Sequence, residues 1–134
     1  LVDAIAERWV ATLVELSPDT ATYIGAEGRF EEYEDFSPAG HAAYVAAARS
    51  TLAALESATP VDGTDLVTIT DLSAELRLDV ELSEAGWYQR DLNVLASPAQ
   101  GIREIFDLMP TATEHDWGII ARKHILVAGA PLAE

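Results

Sequence analysis

The chain has 134 residues, with 23 acids against 8 bases for a net charge of −15, and no cysteine. That length suits one domain able to bury roughly 68% of its unfolded surface, and 49% hydrophobic residues against 23% charged ones exclude a disordered chain. The charge argues against nucleic acid and anionic membranes as partners. The missing cysteine excludes disulfides and thiolate zinc sites, and no apolar run approaches the ~20 residues of a bilayer span.

No leader pattern opens the sequence, so the expected location is the cytoplasm. The acid excess reads first as a device for solubility. Residues 2–16 are predicted to form the first helix, with Val2, Ile5, Trp9, Leu13 and Leu16 on one apolar stripe. Ser17-Pro18 stops it and starts another, Ser17 as N-cap and Pro18 at the first helical position. That second helix is short, because Gly25 and Gly28 break it after Tyr23 and Ile24. Residues 26–36 read as a loop in which Glu27, Glu31, Glu32, Glu34 and Asp35 alternate with Phe30, Tyr33 and Phe36. The aromatics are expected to pin the loop down while the acids face water. The less favoured alternative is a site for a cation or a basic segment.

Ser37-Pro38 repeats the start signal for a third helix reaching about Ala58, with His41, Val45, Ala48, Leu52 and Leu55 as its stripe. His41 is expected to be a hydrogen-bonded core residue, since a metal site needs several convergent ligands. Over residues 64–90 two periods compete. Leu66 to Thr70 is β-branched enough for a strand, but Leu66, Ile69, Leu72, Leu76 and Val80 keep helical spacing for longer, which predicts one long helix. Asp71, Glu75 and Asp79 fall four apart on it and are expected to form a solvated face. Gly86-Trp87-Tyr88 then leads through Arg90-Asp91-Leu92-Asn93 into an extended connection.

Ser97-Pro98-Ala99-Gln100 is a capping box, and Ile102, Ile105, Phe106 and Met109 form the buried stripe of the helix it opens. Pro110 ends that helix by disfavouring α geometry at Met109. Either Thr111 with Glu114 or Thr113 with Asp116 caps the last helix, whose stripe is Trp117, Ile120, His124 and Val127. Gly129 and then Pro131 read as the close of that helix and the first turn of another, which suggests the N-terminal part of a longer protein. The fold class expected is therefore all-α: about six helices in one irregular bundle over residues 1–134.

The motifs of catalysis are missing. There is no His-Glu-x-x-His, P-loop, Gly-x-Gly-x-x-Gly or Gly-x-Ser-x-Gly, and no Glu-x-x-His for a carboxylate-bridged bundle. His41, His115 and His124 sit on separate segments, and Ser17, Ser37 and Ser97 are each explained by the proline that follows.

Leu92-Asn93, Ser97-Pro98-x-Gln100 and Arg103-x-x-Phe106-Asp107-Leu108-Met109-Pro110-Thr111-x-Thr113-x-x-Asp116-Trp117, preceded by Asp91, resemble the N-terminal region of the bacterial domain of unknown function 885 family. Tyr23-Ile24-Gly25 and Tyr33-x-x-Phe36-Ser37-Pro38 agree more loosely. The resemblance implies a longer, mostly helical protein similar in fold to Taq-type zinc carboxypeptidases, with its His-Glu-x-x-His well toward the C-terminus. No position here matches those ligands, so zinc is expected only in the full-length protein and no catalytic or metal residue is assigned. Asn93, Gln100 and Arg103 are the candidates for a wall of the substrate cleft. Their structural readings are a turn residue, a capping partner and a surface or ion-paired arginine. The expected function is a helical scaffold segment whose first partner is the remainder of its own polypeptide, with homo-oligomer contacts through exposed apolar helix faces as a further expectation. The alternative is a self-contained acidic helical module that binds other proteins.

Overall fold

A computed structural model describes residues 1–90, 92–95 and 97–129. Its elements are α1 (Val2–Leu16), α2 (Pro18–Ile24), α3 (Pro38–Glu56), α4 (Gly63–Glu84), a 3-10 turn (Trp87–Arg90), α5 (Pro98–Leu108) and α6 (Glu114–Gly129). Among the described residues there is no strand, and the fold is all-α. No helix among them is long and apolar enough to cross a membrane. Two compact units are present: α1, α3, α4 and the 3-10 turn form the first; α2, the loop after it, α5 and α6 form the second. Asp91, the side chain of Val127 and the helix start expected at Pro131 lie outside the described residues.

In the first unit α1, α3 and α4 pack on one another. Ile5 and Trp9 from α1, Ala48 and Leu55 from α3, and Leu76 from α4 form the buried core, with Leu13, Leu52, Ile69, Leu72 and Val80 packed against it. Small residues at Ala47, Ala48 and Ala54 keep α3 slim where its neighbours approach. Two helices of this unit are capped by side chains at their starts. Ser37 Oγ accepts from the Gly40 N–H at 3.3 Å, and Asp62 Oδ1 accepts from the Asp65 N–H at 2.9 Å.

Helix wins over strand at residues 66–70 because the alternative would strand a long apolar period. In the helix Ser73, Leu76 and Val80 turn inward together. One detail differs from expectation: Leu66 is exposed, one turn too early to reach the core. The helix stops at Glu84, and Gly86 leads out of it at φ +68°, a left-handed geometry open to glycine at no steric cost.

In the second unit α2 packs on α5. Pro18 and Ala21 are buried on the first, Ile105 and Met109 on or just past the second. Met109 is extended (φ −71°, ψ 143°), as the residue before Pro110 must be. Of the two caps open for α6, Thr113 with Asp116 is the one formed. Asp116 Oδ2 accepts from the Thr113 N–H at 2.8 Å, and Thr113 Oγ1 accepts from the Asp116 N–H at 3.1 Å. The buried face of α6 corrects the expected stripe. Trp117 and His124 are exposed, Ile119 and Ile120 are half-buried, and among the described side chains of α6 the fully buried one is Lys123.

Candidate functional site

Lys123 is the chain's single lysine and has no solvent exposure at all. A buried ammonium survives only where charge and hydrogen bonds replace its water. Here Nζ donates to the Asp19 carboxylate on α2 and to the Glu32 carbonyl oxygen at 2.6 Å, and it stands 4.1 Å from the centre of the Tyr33 ring. The Tyr33 hydroxyl in turn donates to the Ile102 carbonyl on α5 at 3.3 Å. One lysine thus ties α6, α2 and the acidic loop together, and Tyr33 extends the tie to α5. Burial, seconded by the Asp19 charge, pushes the Tyr33 phenol up to about 12.

Glu34 is exposed as a residue, yet its carboxyl end tucks against Ser17. Burial raises it above the usual carboxylate range; the Ser17 hydrogen bond opposes the rise and the Asp19 charge adds to it. Ser17 occupies the N-cap position of α2 but makes no side-chain capping bond there.

The stretch from 92 to 117 is held by its own polar groups. Asn93 Oδ1 accepts from the Leu95 N–H at 2.8 Å, the geometry of an Asx turn. Gln100 Oε1 accepts from the Ser97 N–H at 3.2 Å and from the Ser97 hydroxyl, while its Nε2 donates to the Asn93 carbonyl at 3.1 Å. Trp117 Nε1 donates to the Thr111 carbonyl at 3.1 Å, closing the corner around Pro110.

In the first unit an open groove of about 440 Å³ lies over α3, lined by Pro38, His41, Val45 and Arg49 with Ser83 and Tyr88. His41 Nε2 is 2.7 Å from Ser83 Oγ, and its ring stacks on Tyr88 with centroids 3.6 Å apart. The pair lacks the parts of a nucleophilic site. Ser83 sits in the last turn of α4, at the negative end of the helix dipole, where an oxyanion is disfavoured. The one guanidinium in the groove, Arg49, is paired with Glu84. His41 is thus hydrogen-bonded as its stripe implied, but half-buried at the groove rather than in the core.

Residues 18–129 match the family model described as a bacterial protein of unknown function (DUF885). The chain belongs to the DUF885 family. No curated protein matches it. The match runs from the first residue of α2 to the last of α6, so it takes in the Lys123 tie, the groove and the capped corner alike.

Of the three cleft candidates in this DUF885 chain, Asn93 and Gln100 come together and Arg103 does not join them. Gln100 spends both ends of its amide on the capping box and on Asn93, whereas Arg103 is exposed a turn further along α5. Among the described residues, no group of three or more His, Asp or Glu is placed to hold a metal ion. His41 is engaged by Ser83, His124 leans on Phe106 at 5.7 Å, and His115 is exposed. The residue the sequence reading missed is Lys123. Its only local signal was being the sole lysine beside seven arginines, next to the half-buried Ile119 and Ile120.

Proposed function

We propose that this chain is a helical scaffold segment of a bacterial protein resembling zinc-dependent carboxypeptidases, and that it carries no catalytic centre of its own. One observation carries the reading: the polar side chains that could do chemistry are consumed in joining helices. Lys123 is spent on Asp19 and Glu32, Gln100 on Ser97 and Asn93, and Tyr44 on Asp79. In support of placing zinc elsewhere, His41 is engaged by Ser83 and His124 leans on Phe106, and among the described residues no three His, Asp or Glu are grouped to hold a metal ion. Its place in this reading is the remainder of the polypeptide, the partner on which the scaffold is built. Large apolar side chains left exposed in both units, among them Val10, Trp117 and Ile125, are consistent with faces that further polypeptide covers.

The test compares this chain with the longest product of its gene. Each is dialysed against zinc, and metal content is measured beside hydrolysis of peptides with free C-termini. The chain alone should retain no stoichiometric zinc and turn over nothing. Stoichiometric zinc with turnover by residues 1–134 would overthrow the scaffold reading.

A further inference from the structure

Helix α4 carries apolar residues on two sides, and the first unit covers one of them. Ile69, Leu72, Leu76 and Val80 face the core. On the opposite side Val67, Asp71, Ala74, Leu78 and Glu81 recur at spacings of four, three, four and three, and all five are exposed, Val67 by 59% and Leu78 by 54%. That spacing is the seam a second helix packs against, with Val67, Ala74 and Leu78 as its apolar members and Asp71 and Glu81 between and beyond them.

Charge says what kind of helix fits. Between Gly63 and Glu84 there are six acids and one base, and the last turn holds acids and no base. Negative charge at a helix C-terminus opposes the dipole, and Asp71, Glu75 and Asp79 repel at four-residue spacing. Arg77, the one base, is paired away with Glu56 on α3. Among the described residues no ion pair involves Asp71, Glu75 or Glu81. Arg49 answers Glu84 and the Tyr44 hydroxyl answers Asp79, so the charge left without a cation is that of Asp71, Glu75 and Glu81, the kind of conflict expected at a functional surface.

We infer that the Val67–Leu78 face of α4 docks a basic amphipathic helix of a partner protein, one with an apolar stripe at heptad-like spacing flanked by Lys and Arg. A second copy fits poorly, because it would bring a chain of −15 charge against its like. The inference stands apart from the scaffold reading, since peptide binding and zinc-dependent turnover are separate measurements.

The experiment titrates the isotope-labelled chain with a peptide of about 20 residues, enough to span ~30 Å as a helix. The peptide carries Leu on the stripe and Lys on its flanks, and a sister peptide has every Lys replaced by Glu. Saturable binding should perturb the resonances of Val67, Ala74 and Leu78 and weaken as salt is raised. It should fall at least about tenfold, a 1.4 kcal/mol effect, in V67S/L78S, and the Glu peptide should not bind. Both substituted side chains are exposed, so the variant should melt as the parent does. If it fails to fold, D71N/E81Q takes its place and should weaken binding in the same sense. Absence of saturable binding overturns the inference, as does binding that V67S/L78S or D71N/E81Q leaves unchanged. So does a sedimenting dimer of the parent that V67S/L78S dissolves, which would make a second copy the occupant.

Discussion

Replacing Lys123 by Met removes the ammonium and keeps most of the length and volume of the side chain. Asp19, whose side chain is only 15% exposed, would then hold a carboxylate with no cation beside it, and the Glu32 carbonyl would lose its donor. Breaking a buried pair from one side costs about 3–5 kcal/mol, because the remaining charge stays desolvated without compensation. The apolar contacts of the methionine return part of this, so a net loss near 3 kcal/mol is expected. For a unit of this size each kcal/mol moves the midpoint by roughly 4–8 °C, and K123M should therefore melt at least ~10 °C below the parent in far-ultraviolet circular dichroism. The decisive comparison is K123M/D19L. Removing both charges abolishes the desolvation penalty together with the attraction, and such replacements are often neutral or stabilising. The double variant should recover most of the loss. If K123M melts within a degree or two of the parent, or K123M/D19L is as damaged as the single variant, then Lys123 is not the tie that its contacts indicate.

Four further outcomes follow from the same contacts. Y33F should cost about 0.5–1.5 kcal/mol through the lost bond to Ile102. Because the folded phenol titrates at about 12 against an ordinary 10, the parent's stability from this group is complete below pH 10 and lost on the way to 12; Y33F should lack that alkaline decline in a pH series of urea melts. The Thr113 N–H, foremost, and the Thr113 side chain hold the Asp116 carboxyl below its usual range, so the advantage of the parent over D116A should be present at neutral pH and vanish as acid protonates the folded carboxyl. Y44F leaves half-buried Asp79 without its donor and should cost about 1–3 kcal/mol by chemical denaturation. In G40A the new methyl would fall on the Asp35 carbonyl and 2.6 Å from the Asp35 Cβ; overpacking of about 1–3 kcal/mol should outweigh the ~1 kcal/mol that alanine adds to a helix, so the midpoint should drop.

Local chemistry was the legible part of this chain. Ser37 with Gly40, Ser97 with Gln100, and Thr113 with Asp116 are bonds between residues three apart, within reach of a reading by spacing; spacing left Thr111 with Glu114 equally open, and Ser17, before Pro18, makes no side-chain cap. The stripes of α1 and α3 were readable for the same reason: one period covers one face. Long-range polar pairing was not. Lys123 and Asp19 are 104 residues apart, and nothing in the spacing around either names the other. Asp79 illustrates a milder failure. Its line with Asp71 and Glu75 suggested a solvated face, and those two are exposed, but Asp79 lies at the edge of the α3 contact and receives the Tyr44 hydroxyl. On α6 the apolar period pointed to Trp117 and His124, whereas the inward position belongs to a lysine that any hydrophobicity count places outside. Of the cleft candidates, the capping role of Gln100 was visible in advance; that its other end would hold Asn93 depended on how the chain turns back before α5.

The two units treat acid in opposite ways, and the contrast bears on what each is for. In the second unit the loop carrying Glu27, Glu31, Glu32 and Glu34 is closed by an internal cation. Arg29 pairs with Glu32, and Lys123 takes Asp19 and the backbone beside the loop's aromatic. Two of this unit's bases thus answer two of its acids from within the unit. In the first unit two ion pairs join α3 and α4, Arg49 of α3 with Glu84 and Arg77 of α4 with Glu56, and the outer face of α4 keeps acids and apolar side chains together. A purely solubilising surface has no reason to set valine and leucine in register with its carboxylates. The same acidic excess therefore serves closure in one unit and, on the outer face of α4, an approach path for a cationic helix.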